Sequence, residues 1–236
     1  MDDKLPSLRI DAVPTVRSMV RTKLRDAIIS GRLVQGQRLV ERELCEMTGV
    51  SRASIREALR GLEAEGLVTT VPHRGPVVST ITPEEAEQLY RARALLEGFA
   101  GRECARHRDP ETVQGLKDAI ARLKVAAGAG DMQGLLAAKT DFYAALIDGC
   151  RNTFIENMLR PLHDRITVLR IRSMSQPKRI NKSLREVTAI MRAIEAGDMV
   201  AAERLCIEHI ETAATAALKM IRAEEAARIS HQDEPA

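Results

Sequence analysis

Residues 49–67 read Gly49-Val50-Ser51-Arg52-Ala53-Ser54-Ile55-Arg56-Glu57-Ala58-Leu59-Arg60-Gly61-Leu62-Glu63-Ala64-Glu65-Gly66-Leu67. Ser51 is placed to cap a helix that begins at Arg52, because a serine oxygen accepts from the unpaired amides of a first helical turn. Ile55, Leu59 and Leu62 recur at helical spacing and form one apolar face. Gly66 stops the helix. Upstream, Glu41 to Met47 reads as a short helix halted at Thr48-Gly49. A short helix, a glycine-containing turn and a capped second helix are the grammar of a helix-turn-helix, whose second helix enters the DNA major groove.

The flanking sequence completes a domain over residues 15–80. Thr15 to Ser30 forms a first helix, with Val16, Val20, Leu24 and Ile28 on one face and Gly31 at its end. Gly36 supplies a turn before Leu39-Val40. Leu67 to Val71 is strand-like, residues 72–76 form a turn, and Val77 to Thr80 is strand-like again, so a β-hairpin wing follows the helices. Residues 1–14 lack the apolar stretch of a signal peptide and read as a loose tail. From Thr82-Pro83-Glu84-Glu85 onward nothing resembles a strand. Six helices are expected, at about 83–107, 110–127, 131–148, 152–174, 178–196 and 198–228, with Pro161 kinking the fourth. The expected fold is therefore mainly α, a winged helix-turn-helix followed by an all-helical domain over 81–230 and a short tail at 231–236.

Composition bounds the function. At 44% hydrophobic and 29% charged residues, the 236-residue chain can bury two cores and stay soluble. No apolar run approaches the roughly 18 residues of a membrane span. Cys45, Cys104, Cys150 and Cys206 are scattered, which predicts packed thiols and a reducing cytoplasm rather than disulfides. The net charge is only +3, but residues 1–80 hold 13 Lys+Arg against 10 Asp+Glu while the remainder holds 23 against 23. The excess sits beside the helix-turn-helix, where arginines on one helix point to nucleic acid. Nucleophile-elbow, zinc-protease and P-loop patterns do not occur, so no enzyme is expected.

The segment 38–44 and the stretch quoted above together resemble the GntR family of bacterial regulators, over nearly all of residues 15–80. The second half resembles that family's FadR-type branch through Arg93-Ala94-Leu95-Leu96-Glu97-Gly98, Phe142 with Ala145-Leu146, and Ala193-Ile194-Glu195-Ala196-Gly197-Asp198. Six helices suit its VanR-like variant, with an FCD effector domain. The resemblance implies DNA contacts at Arg42, Arg52, Arg56 and Ser54, and a minor-groove contact at the wing tip His73-Arg74-Gly75. On chemistry alone, Ser51, Arg52, Ala53, Ser54 and Arg56 occupy the start of the recognition helix. An arginine there can clamp guanine O6 and N7, worth about 1–3 kcal/mol of discrimination. Arg52 is the first choice, and Arg56 suits a base or a phosphate. The family further implies a homodimer on an inverted-repeat operator, most often as a repressor released by a small metabolite.

Many FadR-type domains also hold a divalent metal with one Asp and three His. Aligned on Phe142, this chain has Lys139 in place of the Asp, Tyr143 in place of one His and Val187 after Glu186 in place of another, and it keeps only His209. One ligand of four does not hold a transition metal, so no metal or other cofactor is expected. A residual set of Asp141, His163 and His209 has no defensible spacing. Instead Lys139, Tyr143 and His209, with Arg93, are expected to surround the cavity and bind a carboxylate or other organic anion directly. Arg93 has the simpler reading of an ion pair with Glu97 one turn on. The alternatives are a metal-dependent effector site, and a DNA-binding protein whose second domain only dimerises.

Overall fold

A computed structural model describes residues 15–173 and 177–232, with no side-chain description at 167–177, 224 and from 226 onward. The expected N-terminal tail lies outside the described residues. The chain divides into two compact units between Ser79 and Thr80.

The first unit holds α1 (Val16–Ile29), α2 (Glu41–Thr48), α3 (Arg52–Ala64) and the strands β1 (Val68–Val71) and β2 (Gly75–Val78). Thr15 and Ser51 cap α1 and α3 through their side chains, each accepting from the amide three residues on. Gly49 closes α2 in the left-handed region at φ +71°, which leaves the short turn into α3 unstrained. Val20, Leu24 and Ile28 from α1, Leu44 from α2 and Ile55, Leu59 and Leu62 from α3 are buried, as their helical spacing requires.

The hairpin is shifted from its expected place. Strand β2 begins at Gly75, inside the segment expected to be turn, and pairs antiparallel with β1 in the register Val71↔Gly75 and Val68↔Val78. The turn shortens because His73 takes a left-handed conformation, φ +61°, and reverses the chain at once. The stretch before α2 also lies along β2. Leu39 N donates to Pro76 O, Val78 N donates to Gln37 O and Gly36 N donates to Val78 O. The wing is thereby tied to the loop between α1 and α2, and Leu33, Leu39, Val77 and Val78 are buried.

The second unit contains six helices among the described residues: α4 (Pro83–His107), α5 (Pro110–Ala129), α6 (Met132–Gly149), α7 (Thr153–Ser173), α8 (Pro177–Ala196) and α9 (Met199–Gln232). Thr82 and Glu85 form a reciprocal capping box at the start of α4. Asp109 and Asp131 cap α5 and α6. Pro161 lies within α7, whose helical span continues through it. Helix α9 extends two residues into the stretch expected to be a tail. None of the helices is long and apolar enough to cross a membrane, among the described residues.

The core of this unit is aliphatic, with Leu116, Leu135, Leu146, Ile190 and Ile194 nearly inaccessible, and Phe142 at its centre. Cys104, Cys150 and Cys206 are buried free thiols. Burial pushes Cys104 up to about 12 and Cys150 up to about 11, so they pack as small neutral groups. Helix α4 packs most extensively on α9. A Cβ at Gly101 would stand 2.5 Å from Cys206 Sγ and 3.1 Å from the Ala202 carbonyl oxygen, so the approach of the two helices depends on that glycine.

We therefore expect Gly101→Ala to destabilise the second unit by about 1–3 kcal/mol through overpacking. Gly128→Ala, on an exposed helical site with nothing within 4 Å of its added Cβ, should be neutral or stabilising. Urea denaturation of the two variants beside the parent measures the contrast. Equal effects would exclude close packing at Gly101 as the cause.

Candidate functional sites

The recognition helix α3 presents its first turn outward. Arg52 and Ala53 are exposed, and Arg52 makes no hydrogen bond or ion pair among the described residues. Ser51 Oγ accepts from Ser54 N at 3.3 Å and lies 3.1 Å from Ser54 Oγ, so capping holds both serines at the helix start. Arg56, one turn beyond Arg52, is tied to α2. Its Nε donates to Glu41 Oε1 at 2.8 Å and Oε2 at 2.9 Å. That hydrogen bond and the neighbouring negative charge raise the Arg56 pKa above its ordinary value. Arg42 is exposed on α2, with Nε 3.8 Å from Glu46 Oε1. His73 stands exposed at the wing turn, and Gly75 opens β2 at φ +82°. Arg74 folds back so that its Nη2 donates to Gly36 O at 3.1 Å.

These positions gather the expected residues onto α2, α3 and the wing of one unit. Sequence reading missed Glu41 as the partner of Arg56 and Gly36 as the partner of Arg74. The separations are 15 and 38 residues, beyond any helical repeat, and no local signal marks them.

The second unit encloses a buried polar cluster. Arg93 and Lys139 are 1% and 4% exposed, and Tyr143 and His209 are as deeply buried. Lys139 Nζ lies 3.1 Å and Tyr143 OH 3.0 Å from His209 Nε2. His209 Nδ1 lies 2.5 Å from Glu186 Oε2, and Arg179 Nη1 donates to the same oxygen at 3.1 Å. Burial first, then the Lys139 ammonium, pushes His209 down to about 3. The ring is therefore neutral near pH 7. Its Nδ1–H donates to Glu186, which leaves the single Nε2 lone pair as an acceptor facing both the Lys139 ammonium and the Tyr143 hydroxyl.

Arg93 sits at the other end of the cluster. Its Nε donates to Glu97 Oε1 at 2.6 Å, the ion pair one turn along α4 that the simpler sequence reading holds. His163 Nε2 lies 3.0 Å from the same carboxylate oxygen, and the His163 ring packs on Tyr143 with centroids 4.5 Å apart. The Arg93 guanidinium faces the rings of Tyr143 and Tyr90 at 5.2 and 5.6 Å. Burial works against the Glu97 carboxylate, but Arg93 and His163 overcome it and hold the group well below the usual carboxylate range. Arg93 Nη2, a donor, and Glu186 Oε1, an acceptor, are buried without a hydrogen bond among the described residues.

The structure thus brings together all four residues expected at the cavity and adds Glu97, His163, Glu186 and Arg179; the sequence marked Glu97 as a partner of Arg93 and His163 only in the residual metal set. It does not fit a divalent metal. The Nε2 lone pair of His209 is engaged by an ammonium and a phenol, and both carboxylates are committed to arginines. Asp141, the residual candidate ligand, is half exposed and paired with Arg122 at 3.0 Å. Among the described residues no group of three His, Cys, Asp or Glu side chains stands in metal-binding proximity.

Comparison with known proteins agrees with both units. Residues 16–78 match the domain described as bacterial regulatory proteins, gntR family, and residues 88–212 match the FCD domain. A protein of Paenarthrobacter nicotinovorans described as "Probable D-xylose utilization operon transcriptional repressor" is 31% identical over 83% of this chain and 86% of its own length. The gluconate operon transcriptional repressor of Bacillus licheniformis is 28% identical over 67% of this chain and 66% of its own. A solved structure from Rhodococcus sp. RHA1, described as a GntR transcriptional regulator, aligns with a TM-score of 0.75 at 27% identity, covering 86% of this chain and 97% of that one. Escherichia coli McbR/YncC shares the fold, with a TM-score of 0.78 at 19% identity over 87% of this chain and 98% of that one. With a gntR-type winged helix-turn-helix followed by an FCD domain, the chain belongs to the FadR-type branch of the GntR family of bacterial transcription regulators.

Proposed function

We propose that the protein is a cytoplasmic homodimeric repressor that binds an inverted-repeat operator and is released from it by an organic anion, most simply a carboxylate, held in the buried cluster of its second unit. The observation that carries the DNA-binding half is the first turn of α3, where a capped helix presents Arg52 without an intramolecular partner among the described residues. A guanidinium in that position has its donor fork available for a guanine edge. Arg42 and the wing residues His73, Arg74 and Gly75 flank it, the first suited to phosphate and the last three to the minor groove.

Two copies of the recognition helix reading two half-sites call for a dimer. Leu95 and Phe99, one turn apart on α4, are exposed at 73% and 38% and supply apolar surface for a second copy. Leu95 borders a groove of about 510 Å³ between α4 and α9.

For the effector, the support is a fully buried arginine whose Nη2 lacks a hydrogen bond among the described residues, in a cluster that also contains Lys139 and two hydrogen-bonding rings. A carboxylate would supply the missing acceptor and place its charge between two cations. The gluconate operon repressor that this chain resembles is named for such an anion. The mutual hydrogen bonds of Lys139, Tyr143 and His209 favour a second reading, in which the cluster only stiffens a dimerisation domain.

Arg52→Ala should reduce operator affinity by about tenfold or more, as expected for one lost bidentate contact, with unchanged melting temperature and dimer mass. Footprinting and gel shifts on an operator selected from random DNA check this. A wild-type footprint from Arg52→Ala would remove α3 as the reading helix.

A library of carboxylates screened by thermal shift should yield a ligand that raises the melting temperature and releases operator DNA. Lys139→Met should abolish that response while operator binding persists. Chelator should alter neither stability nor affinity. No stabilising anion in the library would favour the dimerisation-only reading, and a chelator-sensitive response would establish a metal-dependent one.

The cluster also sets a pH dependence. An unfolded histidine takes up a proton near about 6.5, whereas His209 in the folded protein does so at about 3. The unfolded state therefore binds more protons between these values, and stability falls as pH drops through that window. The slope is about 1.4 kcal/mol per pH unit for one proton. Glu97 and Glu186, both lowered, lose their stabilising contribution at still lower pH, below the range of an ordinary carboxylate. Melting temperatures measured from pH 7 to 4 should decline, and His209→Gln should flatten the upper part of the curve. A flat wild-type profile between pH 6.5 and 5 would contradict a neutral buried His209.

A further inference from the structure

Glu41 opens α2, and Arg56 lies one turn into α3, so the pair crosses the helix-turn-helix fifteen residues apart. Both carboxylate oxygens lie within 2.9 Å of a single guanidinium nitrogen, Nε. Among the described residues the terminal nitrogens Nη1 and Nη2 make no hydrogen bond. The arginine side chain is 60% exposed and the glutamate 30%.

An ion pair this open to water contributes little to folding stability, because solvent screens it and both side chains give up rotamers to form it. Its effect is geometric. A guanidinium is a rigid planar fork, so fixing Nε fixes the directions of the remaining donors. A second effect is electrostatic. A carboxylate beside the contact arginine repels phosphates, and it cancels part of the charge that would otherwise bind any DNA sequence.

We propose that Glu41 is a positioning and specificity residue for Arg56. It orients the guanidinium so that Nη1 and Nη2 meet the operator in register, and it suppresses binding of Arg56 to DNA in any other register. This rests on the reading of Arg56 as a DNA contact. Glu41 itself touches no base. It acts by holding one edge of the arginine and by placing a negative charge where a misplaced phosphate would come.

The two effects separate under substitution. Glu41→Gln removes the charge and weakens the clamp, whereas Glu41→Asp keeps the charge on a side chain one methylene shorter. The full-length protein would be measured by fluorescence anisotropy on its selected operator duplex and on a scrambled duplex of equal length, across a salt series. Glu41→Gln should weaken operator binding and strengthen scrambled-duplex binding, lowering the ratio of the two by roughly tenfold or more. Its salt dependence on the scrambled duplex should steepen by about one counterion. Glu41→Asp should weaken operator binding while leaving scrambled-duplex binding low. In an Arg56→Ala background neither substitution should change operator affinity further.

A residue that merely braces α2 against α3 would lower melting temperature and weaken both duplexes together. That pattern overturns the proposal, as does an equal effect of Glu41→Gln with and without Arg56. If Arg56→Ala binds its operator like the parent, the reading of Arg56 fails instead, and the role of Glu41 fails with it. Should Glu41→Gln not fold, Glu41→Asp alone decides, because wild-type operator affinity from that variant would exclude positioning.

Discussion

A guanidinium withdrawn from water must be given a carboxylate, and the interior of the second unit is arranged around that requirement at Arg93 and Glu97. Both are 1% exposed and share a 2.6 Å contact along α4. Removing one member of such a pair leaves a buried charge without compensation, typically at a cost of about 3–5 kcal/mol. The surroundings extend the pairing from helix to helix. His163 brings α7 to Glu97, and Tyr143 on α6 packs against His163 and Arg93. Lys139, one turn before Tyr143, meets His209 on α9, and His209 meets Glu186 on α8. Five helices are joined by directional contacts through a core that is otherwise mainly Leu, Ile and Ala around Phe142. Aliphatic side chains can be repacked at modest expense, so the polar contacts add directional constraints to those of close packing at sites such as Gly101.

The charge pairs along α2 and α3 of the first unit follow the opposite rule. In the pairs of Arg56 with Glu41, Arg42 with Glu46 and Arg60 with Glu57 the arginines are all largely exposed. Water competes for each partner, so these contacts contribute little to stability; Arg42 and Arg60 can exchange theirs for phosphates without a large penalty, and Arg56 can offer Nη1 and Nη2 while its Nε stays on Glu41. A surface that recognises a polyanion needs cations that can change partners. A core that holds helices together needs cations that cannot. The two units place the same residue types in these two environments, and burial determines the outcome.

Lys139 links this division to the chemistry of the family. The resemblance implies that many FadR-type domains hold a divalent cation with an Asp and three His, whereas this chain places an ammonium 3.1 Å from His209 Nε2. A lysine provides positive charge covalently, without deprotonated ligands and without dependence on metal supply. It also directs its donors along a flexible stem rather than in a fixed coordination geometry. His209 donates its Nδ1–H to Glu186, the kind of carboxylate contact that also commonly orients a metal-bound imidazole, while an ammonium faces its Nε2.

What the sequence by itself determined is local. The caps at Thr15, Ser51 and Thr82, the apolar faces of α1 and α3, and the helix breaks of the second half arise from contacts within about four residues, and such contacts are written directly in residue spacing. The pairing of Arg93 with Glu97 was legible for the same reason, being one helical turn long. The gathering of Arg93, Lys139, Tyr143 and His209 was reached only through family resemblance, since their spacing carries no period. Tertiary structure alone decided the rest. The start of β2 at Gly75 depends on the backbone of His73 and on pairing with residues 36–39, which no alternation of apolar residues reveals. Glu41 meets Arg56, Arg74 meets Gly36 and His209 meets Glu186 across 15, 38 and 23 residues. Side chains that far apart meet only after the helices have packed, and a charged residue's partner is set by where that packing leaves it.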